Sequence, residues 1–271
     1  MFRRVCVALA CASILPFAAA IGAERPLQPV GKWDLDYAET QCAAYRDYGN
    51  AEHPVTLMIR PSAAGDTYEI LVARKDASPE FAEELEGTVD FGSGPIKAWL
   101  LHYRTTAKHL DVYQFRIPAS EMARARSAAS VTLNIRNAPD FSFALASMPA
   151  LLNGLDACTA DLKQYWNMDG EKNGRIAIPS KGDVRHLFTP DDYPSEAMNL
   201  HQEGRAQFLL LVDEKGKVAG CNVLLASGVP VLDAMGCAVL QERASFSPAL
   251  DRTGKPVRST FVTPPVQWQF G

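Results

Sequence analysis

The sequence lacks the short motifs that mark most metal, phosphate and nucleophile sites. It has no Cys-x-x-Cys or His-x-x-x-His spacing, no glycine-rich phosphate loop, and no Gly-x-Ser-x-Gly frame around the "GSG" at 92–94. We therefore predict no catalytic residue, no cofactor and no metal ion. An enzyme with a site in the amino-terminal half stays open as an alternative, because a site assembled from distant residues leaves no local motif. A cleft that gathers His102, His109 and acidic side chains would favour it.

Basic residues are slightly fewer than acidic residues. The chain carries 27 basic and 31 acidic residues, a net charge of −4. Residues 1–23 hold two arginines and no acid, so the remainder has a net charge of about −6. Such a surface gives no reason to expect nucleic acid or an anionic membrane as a partner.

Residues 1–23 have the pattern of a secretory signal. Arg3 and Arg4 precede an uncharged run that ends in small residues, with cleavage expected after Ala20 or Ala23. A retained membrane anchor is the alternative, since nineteen uncharged residues follow Arg4 and a spanning helix needs about 20. The chain would contact a membrane only in that second case.

Four cysteines remain once the predicted signal is removed. An even number in an exported chain favours disulfides, although four cysteines allow three pairings and sequence alone proves none. A predicted strand and a predicted helix carry the last two, sixteen positions apart, so a staple between them is favoured over a redox pair or a zinc site. The first two could meet if the inward stripe of a helix faces an early strand. The four are Cys42, Cys158, Cys221 and Cys237.

Residues 24–166 are predicted to form a β-rich domain of unknown type. Six runs alternate apolar and polar residues, as half-buried strands do. A closing helix begins near Ser147, which can cap it, and carries Cys158 on an apolar stripe that ends at Trp166. A shorter helix is predicted over 119–128. The six runs are 55–60, 68–74, 99–105, 110–117, 131–136 and 141–145.

A change in composition marks a joint between two halves. Residues 167–184 are rich in Gly, Asn, Lys and Pro and lack a sustained apolar period, which predicts a linker. Residues 185–271 are predicted to form a small two-layer α/β domain in the order helix, hairpin, helix, strand. The fold class expected for the whole chain is therefore α+β.

The elements of this second domain have local signatures. A short helix is predicted within 193–204, and a hairpin turns at 213–217, where Gly216 suits a positive φ. Pro230 opens the next helix, and 262–270 alternates as a half-buried strand. The apolar stripe of that helix consists of Leu232, Met235, Gly236, Val239 and Leu240.

Five motifs occur in a fixed order in this domain. They are "YP" at 193–194, "EGRAQFLLLVDEKGKVAGCNVLLASG", "VLD" at 231–233, "FSPA" at 246–249 and "GKPVRSTFVTPPVQWQF" ending at 270. Each is common alone, but their order and spacing are specific. The segment from Tyr193 to Phe270 resembles the carboxy-terminal domain of TonB, the energy transducer of Gram-negative envelopes.

The resemblance implies a periplasmic protein with a protein partner in the cell envelope, for which an outer-membrane receptor is one candidate. Family members bind an extended segment of an outer-membrane transporter as an added strand at the edge formed by their last strand. The matching strand here is 258–270. Its residues could equally be ordinary solvent-facing positions of a half-buried strand. The candidate partner-binding residues are Arg258, Thr260, Val262, Val266, Gln267 and Trp268.

The sequence departs from the energy-coupling members of the family. Those members keep a spanning helix with a histidine and a long proline-rich spacer, but residues 1–23 contain no histidine and a folded domain replaces the spacer. We therefore expect a periplasmic TonB-like binding protein. A membrane-anchored transducer for transport across the outer membrane is the alternative from the same family.

Two consecutive prolines interrupt the predicted last strand. Successive N–H groups of a strand point to opposite neighbours, so Pro264 and Pro265 remove one donor on each side. We expect a break or bulge there, with separate docking segments at 258–263 and 266–270. Prolines on an open edge also discourage aggregation, which is the simpler explanation.

Overall fold

The computed structural model describes residues 25–76, 78, 81–105 and 109–270. Over these residues the chain is mixed α and β, with a large sheet in the first half and a smaller one in the second, in agreement with the predicted class. The predicted signal at 1–23, and its alternative as an anchor, lie outside the described residues. No helix in the described part combines the length and apolar character needed to span a membrane.

Nine antiparallel strands form the amino-terminal sheet. Their order across the sheet is 1-2-3-4-7-6-5-8-9, so the fourth strand pairs with the seventh and the fifth with the eighth, while every other pair of neighbours is consecutive along the chain. Four of the six predicted runs lie within strands, and the other two extend one residue beyond the eighth and ninth strands. The first, second and fifth strands are not among the predicted runs, and in the fifth the glutamates hide the two-residue period. The strands are β1 (Asp34–Tyr37), β2 (Cys42–Asn50), β3 (His53–Pro61), β4 (Thr67–Lys75), β5 (Phe81–Asp90), β6 (Pro95–Thr105), β7 (Leu110–Pro118), β8 (Ser130–Ile135) and β9 (Phe141–Ala144).

One face of this sheet is buried under a helix, α1 (Met148–Tyr165), and a 3-10 helix over Ala119–Ser127. Alternate side chains of the central strands, such as Leu57, Ile70 and Phe115, are at most 1% exposed. The opposite face carries both polar and apolar side chains, among them Arg60, Glu69 and Trp99.

Two helix predictions need correction in detail. The segment predicted as a short helix over 119–128 is a 3-10 helix, consistent with its buried residues Met122 and Ala125 being three apart. Ser147 occupies the N-cap position of α1 but its side chain makes no capping hydrogen bond, and its backbone φ is 61°. A proline in the first turn, Pro149, favours the helical φ there instead.

The segment predicted as a linker, 167–184, packs against the second half. The Ala177 N–H donates to the Leu250 carbonyl at 2.8 Å, and the Ser247 N–H donates to the Lys181 carbonyl at 2.8 Å. Val184 is buried in the core of the second half. These are single bridges, which explains why the segment shows no sustained period.

The second half is built around one central strand. The carboxy-terminal sheet places β10 between β11 on one edge and both β14 and β15 on the other. The elements are α2 (Ser195–Asn199), β10 (Gly204–Val212), β11 (Val218–Leu225), α3 (Pro230–Arg243), β12 (Ala249–Leu250), β13 (Pro256–Val257), β14 (Ser259–Val262) and β15 (Val266–Trp268).

Two glycines permit the closest approaches in this half. Gly216 has a φ of +77° in the β10–β11 turn, and a Cβ there would collide with the Phe246 carbonyl. Gly236 of α3 lies directly against the ring of Phe208 on β10. Any side chain at either position would push α3 or the following segment away from the sheet.

The last strand is broken at the prolines, as predicted. β14 ends before Thr263 and β15 begins after Pro265. Thr263 bridges the gap, because its N–H donates to the Phe208 carbonyl at 2.9 Å while its Oγ1 accepts the Phe208 N–H at 3.1 Å. The hydroxyl thus occupies the place of a missing backbone acceptor, and the sheet stays continuous.

Two disulfides join the four cysteines. Cys42 of β2 is bonded to Cys158 of α1 with a Cα–Cα distance of 6.0 Å, and Cys221 of β11 to Cys237 of α3 with 5.6 Å. Each bond therefore ties a strand to the helix that covers it.

We expect the first bond to contribute more to stability than the second. Their sequence separations are 116 and 16, for which the chain-entropy model gives about 4–5 and about 3 kcal/mol. Replacing Cys42 and Cys158 by Ser should lower the melting temperature more than replacing Cys221 and Cys237. The opposite ranking in thermal melts would contradict this, and a free-thiol assay on the unmutated protein serves as the control.

An ion pair between the buried Asp192 and the partly exposed Arg243 should make the second half acid-sensitive. Hydrogen bonds from Arg243 hold the pKa of Asp192 at about 2, below its ordinary 3.8. Because the folded-state pKa is depressed, the pair stabilises the fold above about pH 4, and this contribution is lost as the pH falls towards 2. Arg243→Gln should lower the free energy of unfolding by about 1–2 kcal/mol at pH 7.

Thermal melts of Arg243→Gln and of the unmutated protein should therefore converge as the pH falls from 4 to about 2. Glu242→Gln is the matched control, since Glu242 neighbours Arg243 and its side chain is 75% exposed. An equal loss from both variants, or a gap that does not change with pH, would contradict the assignment.

Candidate partner-binding edge

The hydrogen-bond direction of the last strand follows from one contact. The Thr263 N–H points to β10, since it donates to the Phe208 carbonyl. Backbone groups alternate in direction along a strand, so Ser259 and Phe261 also point to β10. Thr260 and Val262 then point away from it. In the described part of the chain, β14 has no pairing on that outer side.

The same alternation continues beyond the prolines. Val266 and Trp268 are paired with Ala206 and Gly204, positions of β10 whose backbone groups face this edge. Gln267 lies between them, so its N–H and carbonyl point outward. The open edge therefore offers two short stretches on either side of Pro264 and Pro265.

The side chains of this edge differ in how far they are exposed to solvent. Val262 is 49% exposed, Gln267 is exposed and Thr260 is half-buried. Val266 packs partly against the core, and Trp268 is only 5% exposed, with its ring edge-on to Phe188. A strand docked here would touch the first three residues, while the last two serve the core.

Arg258 is held by contacts from both halves of the molecule. Its guanidinium lies 4.0 Å above the Tyr165 ring and 3.4 Å from a Glu214 carboxylate oxygen. Its carbonyl accepts a hydrogen bond from the Asn167 Nδ2 at 2.8 Å. The open stretch accordingly starts at Thr260, after this anchored residue.

Sequence reasoning missed the two residues that delimit the edge. Asn167 fastens its start, and Thr263 restores the ladder at the proline break. The sequence signal for Thr263 was its place directly before Pro264 and Pro265, because its hydroxyl can form a hydrogen bond where two residues lack a backbone N–H. No local pattern could have predicted the role of Asn167, because its side chain donates a hydrogen bond to a residue 91 positions away.

The two histidines of the enzyme alternative lie apart. His102 is buried on β6, with Nδ1 2.9 Å from Glu83 and Nε2 2.8 Å from Asp111. His109 lies just before β7, in a turn with a φ of 50°. Both nitrogens of His102 are engaged by carboxylates, and the ring stacks on Tyr113 at 3.9 Å.

The surroundings of that histidine form a charge network. Burial opposes the ionisation of Asp111, but hydrogen bonds from His102 and Arg74 hold its pKa below the usual value. Arg104 also contacts it at 3.1 Å. Within the described residues, no group of three or more metal-ligating side chains is placed to hold an ion.

Comparisons with known proteins bear on the second half alone. Neither the curated proteins nor the solved structures include a match to this chain. The resemblance of the carboxy-terminal segment is confirmed by a family model, which covers under a third of the chain. Residues 189–270 match the model of the family described as Gram-negative bacterial TonB protein C-terminal.

Proposed function

We propose that this chain is a periplasmic envelope protein that binds an extended segment of an outer-membrane protein by strand addition. The observation that carries the proposal is the outer side of β14, where Thr260 and Val262 direct their backbone groups away from β10. Such an edge supplies affinity through main-chain hydrogen bonds and selectivity through alternate side chains.

The proline break supports a short, divided docking site. A partner strand can bond to Thr260 and Val262 on one side and to Gln267 on the other, but it meets no donor at Pro264 or Pro265. A long uniform strand is therefore disfavoured at this edge, which limits aggregation while leaving room for a specific partner.

Export is supported by the cysteine chemistry. Two strand-to-helix disulfides, Cys42–Cys158 and Cys221–Cys237, account for all four cysteines of residues 24–271. Disulfides persist in the bacterial periplasm and are rare in the cytosol. This agrees with the location that the carboxy-terminal family implies.

The amino-terminal half supports the proposal by leaving one edge of the small sheet open. Asn222 of β11 accepts a hydrogen bond from the Ala63 N–H at 3.3 Å, so the β11 side faces the large sheet. On the β14 side, Arg258 contacts the Tyr165 ring and accepts a hydrogen bond from Asn167 through its carbonyl. The first half would thus present the partner-binding edge in a set orientation.

Photocrosslinking in a Gram-negative host tests the proposal. p-Benzoylphenylalanine at Val262 should form an adduct with an outer-membrane protein. Thr260→Pro should abolish the adduct by removing one outward N–H, whereas Thr260→Ala keeps that N–H and should keep the adduct. Proline is preferable to truncation, because deleting the strand would remove the buried side chains Ser259, Thr263 and Trp268 and expose the core that they cover.

The matched control carries the crosslinker at Val30, which is 43% exposed in the first half. An adduct at Val30 of the same mass, or equal adducts from the two Thr260 variants, would refute strand addition at this edge. Identification of the captured protein by mass spectrometry decides whether it belongs to the outer membrane.

A further inference from the structure

A polar cleft separates the large sheet from the carboxy-terminal domain. Its cavity volume is about 320 Å³, within the range of about 300–1,000 Å³ typical of ligand sites. Strands β3, β4, β6 and β7 form one wall. The other wall is formed by β11 and α3, which the Cys221–Cys237 disulfide holds together.

The first wall carries a charged row that runs straight across the sheet. Arg60, Glu69, Arg116 and Trp99 are successive register partners on four neighbouring strands. Glu69 accepts from Arg60 at 2.9 Å and from Arg116 at 3.0 Å, and these two arginines hold its pKa low despite burial. The Arg116 guanidinium lies 4.8 Å from the Trp99 ring centroid. Two arginines against one carboxylate leave this wall with one net positive charge.

The second wall contains an open strand edge. β10 directs Leu209 and Leu211 towards β11, because Phe208 and Leu210 face β14. Their partners Asn222 and Gly220 therefore point inward, while Cys221 and Val223 point their backbone groups into the cleft. Among the described residues, neither of these two forms a backbone hydrogen bond on that side.

Two buried polar atoms lining the cleft have no partner. Asp233 is 3% exposed, and although its Oδ1 accepts the Ser227 N–H at 2.9 Å, its Oδ2 bonds to nothing in the described part of the chain. The Trp99 Nε1 is likewise buried and unpaired. Burial raises the pKa of Asp233, as expected of a carboxyl with too few donors around it. Over the described residues, the Asp233 Oδ2 on one wall lacks a donor and the Trp99 Nε1 on the other lacks an acceptor, so a ligand with both a donor and an acceptor could satisfy them.

We propose that this cleft binds a short extended peptide as an added strand on β11, with a basic side chain of the peptide on Asp233. The site is distinct from the β14 edge and does not depend on the function proposed for it. The edge from Ala219 to Val223 spans about 13 Å at about 3.3 Å per residue, which suits a tripeptide.

A peptide fits the cleft better than a simple ion does. Its backbone supplies acceptors for the outward N–H of Val223 and donors for the outward carbonyl of Cys221. Its cationic side chain supplies the donor that Asp233 Oδ2 lacks, and its carbonyl oxygens can accept from the Trp99 Nε1. A bare anion could accept from the Trp99 Nε1 but has no donor for the Asp233 Oδ2, and a bare cation could bind Asp233 but cannot accept from the Trp99 Nε1.

The indole N–H signals of the four tryptophans provide a direct measurement. In ¹⁵N NMR spectra, Ala-Lys-Ala at about 1 mM should shift the Trp99 indole signal and leave those of Trp33, Trp166 and Trp268 unmoved. Trp99→Phe assigns the signal. The matched peptide Ala-norleucine-Ala, which lacks the charge, should bind about tenfold more weakly. A capped version, acetyl-Ala-Lys-Ala-amide, distinguishes a segment of a longer protein from a free peptide.

Two pairs of variants test the two contacts. Val223→Pro removes the outward N–H and should weaken Ala-Lys-Ala binding about tenfold relative to Val223→Ala, which retains it. Asp233→Asn should remove the preference for lysine over norleucine, whereas Glu242→Gln on the same helix should not. An unmoved Trp99 signal with all three peptides, or equal binding by the two Val223 variants, would overturn the proposal.

Discussion

The hydrogen-bond ladder of β10 is the constraint on which both candidate sites depend. One set of its backbone groups bonds to β11 and the alternate set to β14 and β15. Between the register shifts at Gln207/Phe208 and Leu211/Val212, groups alternate along the strand. The contact of Thr263 with Phe208 and the strand pairings therefore together determine the outward groups of the neighbouring strands. Thr260 and Val262 face solvent, while Cys221 and Val223 face the cleft. A slip of one residue would reverse every one of these directions.

The nine-stranded sheet gives these two edges different surroundings. Its outer face carries the Arg60–Glu69–Arg116 row and places it opposite β11, so that edge faces a polar cleft. Tyr165, the last residue of α1, and Asn167 just beyond it contact Arg258, which directly precedes β14. The same small domain therefore has one edge open to solvent at β14 and one edge enclosed in the cleft at β11.

Local patterns predicted many individual elements well. The alternating runs, the hairpin turn at Gly216 and the break at Pro264 and Pro265 each depend on residues close together in sequence, and the structure has them where the patterns indicated. β5 was missed because Glu83 and Glu84 disrupt its period. Glu83 is exposed at the sheet surface and contacts His102, a partner 19 positions away, so no local apolar period marks its position.

The sequence by itself determined the predicted compartment chemistry, the strand-rich first half and the TonB-type second half, because these reside in composition, short-range period and ordered motifs. Only the tertiary structure decided the strand order, the anchoring of Arg258, and the cleft that has Asp233 on one wall and Trp99 on the other. Those features arise from contacts between residues far apart along the chain. Sheet order and domain packing are set by which distant surfaces bury together, and no local period records that choice.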